Sequence, residues 1–243
     1  MTDEEIEHYK TKGWVVLKNV IPNDLLQIVK EEGQKLRERY NEFQERQVWY
    51  TKHITCASIF SEKLGDCYTA PFILDILKNI LVDNIWLYFD QINYKLASDN
   101  FNFPKHCDNF YCGEELQKGD VHSVNIDWVL DDFTETSASI DVFGFSDSFP
   151  IEGNWETLYP KSGDLIITNG NCFTTDYMSN KDTEPKSNSE RIFYSCLYTD
   201  QKITSSRVYK VQNNKNNKFR ELDYYKNIKF SEPNLTKLLY NLI

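Results

Sequence analysis

A chain of 243 residues carrying 15 Tyr, 15 Phe and 5 Trp can bury one sizeable core, and no Pro-, Gly- or Ser-rich linker divides it. The net charge of −10 argues against non-specific nucleic-acid binding, which needs phosphate neutralisation, and against attachment to an anionic membrane surface. No apolar run is long enough to span a bilayer, MTDEEIEHYK lacks the apolar stretch of a signal peptide, and six scattered cysteines show no paired spacing, so free thiols in a reducing cytoplasm are expected.

In chain order, Thr2-Asp-Glu-Glu5 forms a capping box and predicts a short first helix that ends at Gly13. Trp14–Leu17 reads as a strand. Pro22-Asn23-Asp24 opens a long helix running to about Phe43, with Leu25, Leu26, Val29 and Leu36 on its buried stripe. Val48–Phe60 is mixed and holds His53, which reads either as a loop histidine or as a lid residue near a substrate. Pro71 begins a second, largely buried helix, PFILDILKNILVD.

From Ile85 the texture changes. IWLYFDQINYKL, VHSVNIDWVL, ASIDVFGF, DLIIT and RIFYSCLYTD are short aromatic and β-branched runs separated by turn formers. Short antiparallel strands after helices predict an α+β chain built around a jelly roll or barrel. NKDTEPKSNSE and NNKNNK read as polar loops, and Ser231-Glu232-Pro233 starts a closing helix. The expected organisation is one domain over 1–243: a mainly helical flank at 1–83, a β core at 84–200 and an extension at 201–243.

The chemistry centres on Phe103–Gly113, FPKHCDNFYCG. His106 and Asp108 sit at i and i+2, so in an extended segment both leave one face. An imidazole and a carboxylate placed this way can grip one cation, as in the facial triad of non-haem iron oxygenases. His106, Cys107, Cys112 and His122 also contain zinc-ligand types, but their spacing matches no standard finger. The bland reading of Cys107 and Cys112 is two small buried thiols.

Four places together resemble the phytanoyl-CoA dioxygenase family of Fe(II)/2-oxoglutarate oxygenases: GWVVLKNVIPNDLL, His106-Cys107-Asp108, Ser162-Gly163-Asp164-Leu165-Ile166-Ile167, and Arg191 in ERIFYSCLYTD. The resemblance runs from Gly13 to about Asp200 and implies a double-stranded β-helix (a cupin-like jelly roll) flanked by N-terminal helices. It implies His106 and Asp108 as catalytic iron ligands and Arg191 as the anchor for the far carboxylate of 2-oxoglutarate, the co-substrate. Tyr94 or Asn93 adds a hydrogen bond to it, and His53 and Trp128 are taken as substrate-side residues. Outside the resemblance, Arg191 reads as a surface ion pair with Glu190 or a nearby carboxylate, and Trp128 as core or pocket wall.

The family's second metal histidine should fall near Thr174, and no histidine follows His122. Three readings stay open: Asp176 or another oxygen donor substitutes, giving a harder site; His122 or His53 folds onto the metal; or iron is not usefully bound. Because Asp108 is present, halogenation is not expected. The sequence therefore points to a dioxygenase hydroxylating a small molecule, with a catalytically silent relative, acting as a regulatory partner or small-molecule binder, as the alternative. Homo- and hetero-oligomers are both left open.

Overall fold

The computed structural model describes residues 1–38, 52–55, 57–81, 85–96, 106–111, 122–134, 139–145, 155–177, 190–200, 209–213 and 218–222. Helix α1 (Asp3–Lys12) begins on the expected box: the Glu5 amide donates to Thr2 Oγ1 at 3.2 Å and the Thr2 amide donates to Glu5 Oε2 at 2.7 Å. It stops at Gly13, whose φ of 84° is the left-handed conformation that glycine adopts without a Cβ penalty. Strand β1 (Trp14–Leu17) follows, then helix α2 (Asn23–Glu38), which buries Leu26, Val29, Gly33 and Leu36. The expected continuation of that helix to Phe43, and the closing helix from Ser231, lie outside the described residues.

Strand β2 (Lys52–Thr55), the short helices α3 (Ala57–Phe60) and α4 (Glu62–Tyr68), and helix α5 (Pro71–Leu81) come next. The β-rich part comprises β3 (Trp86–Leu96), a single helical turn α6 (Asp108–Tyr111), β4 (Ser123–Val129), β5 (Ser139–Phe145), β6 (Glu156–Leu158), β7 (Leu165–Asn169), β8 (Cys172–Tyr177) and β9 (Glu190–Thr199). Strands β10 (Tyr209–Asn213) and β11 (Lys218–Leu222) pair with each other on either side of the NNKNNK patch.

Two antiparallel sheets face each other. The larger has the order β1-β7-β4-β9-β3-β2, and the smaller β6-β5-β8. His106 pairs with Thr174 on the free edge of β8 and so adds the HxD segment to the smaller sheet. This interleaving of two sheets is the double-stranded β-helix, and the expected α+β jelly roll is the fold observed. The flank expected to be mainly helical also supplies both edge strands of the larger sheet, β1 and β2.

Strand alternation splits the apolar residues between two cores. Val124, Ile126, Trp128, Tyr194, Cys196, Ile92 and Tyr94 pack beneath the helices. Trp14, Val129, Ile140, Val142, Ile166 and Cys172 fill the space between the sheets. A register shift between Leu87 and Phe89 resets the alternation in β3, so Leu87 and Asp90 both stand on the helix side, opposite Tyr198 and Cys196. There Asp90, fully buried, accepts hydrogen bonds from the Ser58 amide (2.8 Å), the Ser58 hydroxyl (2.9 Å) and the Tyr194 hydroxyl (2.8 Å). Burial first, and the adjacent Asp90 second, push the Tyr194 phenol well above its ordinary value.

Candidate metal centre

The HxD segment is held from both sides by backbone. The His106 amide donates to Thr174 O at 3.0 Å and the Thr174 amide donates back to His106 O at 2.8 Å. Asp108 then opens α6, and the next amide, of Asn109, donates to Gly170 O at 3.0 Å. Asn109 is buried. Its amide side chain donates to Asn171 Oδ1 at 2.8 Å and accepts from the Ser123 hydroxyl at 2.5 Å. Gly170 is the close-approach point of this knot, because a Cβ there would stand 2.0 Å from Ser123 Oγ and 2.3 Å from Asn109 Oδ1. Gly170→Ala is therefore expected to displace Asn109 and, with it, Asp108. We expect a loss of roughly 1–3 kcal/mol from overpacking and a drop in metal affinity of about tenfold to a hundredfold. Metal titration of the variant that matches the native protein would refute this.

His106 Nε2 and Asp108 Oδ1 lie 3.7 Å apart, with their side chains 11% and 23% exposed. That separation is too long for a hydrogen bond, yet short enough for both atoms to reach one ion at metal–ligand distances of about 2.0–2.2 Å. The donor chemistry, one imidazole nitrogen and one carboxylate oxygen, fits a borderline divalent cation such as Fe(II). Among the described residues, no third His, Cys, Asp or Glu joins the pair. Cys172, the buried residue that starts β8, lies near enough to feel the charge of Asp108, and burial pushes its thiol up to about 12.

The other candidates divide by strand face. His53 stands opposite Asn93 in register, on the face turned to the second sheet. Asn93 is buried there, accepts from Gln91 Nε2 at 2.5 Å and donates to Ser195 Oγ at 3.3 Å. Thr174 lies directly across from His106. Arg191 pairs with Lys95 and Asp176 with Ile140; the side chains of both lie outside the described residues.

Two expectations are corrected. Tyr94, expected at the co-substrate, points instead to the helix layer, donates to Gly33 O at 2.7 Å and has the Arg37 guanidinium over its ring. Trp128 is a core residue rather than a substrate-side one: it is fully buried against Phe72 and Tyr194 on the same helix-facing side. The physical reason is shared: in a strand, neighbours Asn93 and Asp127 take the inner face, so Tyr94 and Trp128 take the outer one.

Apart from Asn93, sequence reasoning missed a polar row on the inner face. Gln91, Asn93, Ser195, Asp127 and Asn125 run across β3, β9 and β4. The Ser195 hydroxyl donates to Asp127 Oδ1, and Asn125 Nδ2 donates to the same oxygen at 3.2 Å. That donation fixes the orientation of the Asn125 amide and leaves its buried Oδ1 without a hydrogen-bond donor. The signal was the polar alternation in DQINY and VNIDW, which reads as a solvated face until the second sheet is placed over it.

His122 does not join the candidate ligands. Its backbone amide donates to Asp200 Oδ1 at 3.2 Å, and burial holds its imidazole below the ordinary value of 6.5, with Asp200 partly opposing. The folded state thus prefers the neutral ring. As pH falls below 6.5 the unfolded chain gains the proton first, and stability declines. Replacing His122 by Gln is expected to reduce the fall in melting temperature between neutral and mildly acidic pH. An unchanged fall would show that this histidine carries none of it.

No family model matches the chain and no curated protein matches it. Solved structures do match in fold. The non-haem α-ketoglutarate-dependent epimerase SnoN from nogalamycin biosynthesis aligns at 14% identity with a TM-score of 0.70, over 82% of this chain and 83% of its own. HygX from Streptomyces hygroscopicus, solved with nickel and 2-oxoglutarate, aligns at 12% identity with a TM-score of 0.66, over 95% and 98%. EctD from S. alaskensis aligns at 13% identity with a TM-score of 0.65, over 82% and 76%. Among the described residues, no helix is long and apolar enough to cross a membrane.

Proposed function

We propose that this chain is a non-haem Fe(II)- and 2-oxoglutarate-dependent dioxygenase that hydroxylates a small molecule. The observation that carries the reading is the convergence of His106 Nε2 and Asp108 Oδ1 on the edge of a double-stranded β-helix. Three proteins of this fold lend support: SnoN has been solved with Fe3+, α-ketoglutarate and nogalamycin RO, HygX with nickel and 2-oxoglutarate, and EctD with 2-oxoglutarate and 5-hydroxyectoine. When bound, iron would let O₂ act as the oxidant, with 2-oxoglutarate as co-reductant leaving as succinate and CO₂ and the second oxygen atom entering a substrate C–H bond.

The chain's own residues have positional roles in this reading. His106 and Asp108 hold the metal, with Thr174 and Asp176 as the candidates on β8 for the third protein position. Arg191 takes the far carboxylate of 2-oxoglutarate in a bidentate grip, and Asn93 supports it by a hydrogen bond. The inner polar row offers Asn125 Oδ1 as an acceptor for a substrate hydroxyl or amine, and His53 borders the same face. We place the protein in the cytoplasm, in keeping with the free thiols of Cys67, Cys107, Cys172 and Cys196.

A second reading, a catalytically silent binder or regulatory partner, is favoured by one fact: a threonine stands opposite His106. The discriminating experiment loads the protein anaerobically with Fe(II) and 2-oxoglutarate, admits O₂ and quantifies succinate. Succinate formed in proportion to bound iron supports the dioxygenase. Bound 2-oxoglutarate without turnover, or no metal binding at all, supports the silent binder.

A further inference from the structure

We infer that position 174 is the third vertex of the metal site, that the described residues therefore offer one nitrogen and one carboxylate as strong ligands, and that metal is retained mainly together with a chelating keto acid. The inference rests on the metal-binding reading above. It follows from backbone geometry. Facial coordination needs three donors on one side of the ion. Two of them, His106 and Asp108, come from a single segment, so the third must come from a neighbouring strand.

Among the described residues, the strand pairing with that segment is β8. His106 and Thr174 exchange both backbone hydrogen bonds, at 3.0 and 2.8 Å. Such a pair holds its Cα atoms about 5.5 Å apart and sends both side chains to one face. The side chain at 174 is thus the one that β8 presents beside the imidazole. A neutral threonine hydroxyl is a poor ligand for Fe(II) beside imidazole and carboxylate. Asp176 lies two residues farther along β8, opposite Ile140, beyond the point where His106 pairs. Oxygen donors from a bidentate keto acid then complete what the chain leaves out, so the affinities for metal and keto acid are coupled, each raising the other by the same factor.

The test uses Ni(II), which does not turn over, in anaerobic calorimetry with and without 2-oxoglutarate. The native protein is expected to bind Ni(II) weakly alone and more tightly with 2-oxoglutarate. Thr174→His is expected to tighten binding of Ni(II) alone by about tenfold or more and to shrink the effect of 2-oxoglutarate. Electron spin-echo spectra of bound Mn(II) give a second readout: one coordinated imidazole in the native protein and two in Thr174→His. Should that variant not fold, Thr174→Asp and the native imidazole count decide. Two imidazoles in the native protein, loss of metal in Asp176→Asn, or a folded Thr174→His with no gain in affinity would each overturn the inference. A native protein that binds no Ni(II) with or without 2-oxoglutarate would instead remove the parent reading.

Discussion

Replacing His106 by alanine is expected to leave the fold intact and to abolish metal-dependent turnover. Its backbone bonds to Thr174 involve only the amide and carbonyl, which alanine retains. Its side chain contributes the only nitrogen donor beside Asp108 among the described ligand-type residues. A site left with one carboxylate holds a divalent ion too weakly to keep it at working concentrations. Metal assistance is worth several kcal/mol, so succinate formation should fall by about a thousandfold or more. Circular dichroism and the melting temperature should stay near those of the native protein. A variant with native turnover would end the metal assignment at this site, whatever the fold.

Replacing Asp90 by alanine is expected to have the largest effect on stability. The carboxylate accepts three hydrogen bonds while fully buried, from Ser58 N, Ser58 Oγ and Tyr194 Oη. Removing it takes their shared acceptor from three donors in the layer between helices and sheet, and Tyr194 keeps a weaker bond to Leu64 O at 3.3 Å. Each buried donor left unsatisfied costs about 1–3 kcal/mol, so a total near 3–5 kcal/mol is expected after relaxation. Against a typical stability of about 5–15 kcal/mol, such a loss is large enough to unfold a marginal domain at physiological temperature. Urea unfolding measures it directly. Asp90→Asn keeps the volume but brings an amide N–H₂ toward donors, so it should recover only part of the loss. If both variants unfold at the native midpoint, the bridge between α3 and the sheet is not a stabilising one.

Much of the local structure was legible because it is set by neighbours in sequence. Thr2 and Glu5 specify the first helix start, and Gly13 its stop, through bonds spanning three or four residues. The aromatic and β-branched runs from Ile85 onward became strands, and the helices at Asn23 and Pro71 began where their punctuation placed them. Strands β2, β6, β8, β10 and β11, the helices α3 and α4 and the helical turn α6 escaped notice, because they are short and their positions are decided by packing rather than by periodicity.

The HxD pair, the two-residue alternation of the strands and the lack of a histidine after His122 are all written in the linear chain. Alternation names two faces but does not say what will cover each. Packing in three dimensions sets α2, α4 and α5 over the apolar face, taking Tyr94 and Trp128 with them, and leaves Gln91, Asn93, Asn125, Asp127 and Ser195 on the opposite face. Likewise, that Thr174 meets His106 depends on hydrogen bonds between segments far apart in the chain, which no local pattern encodes.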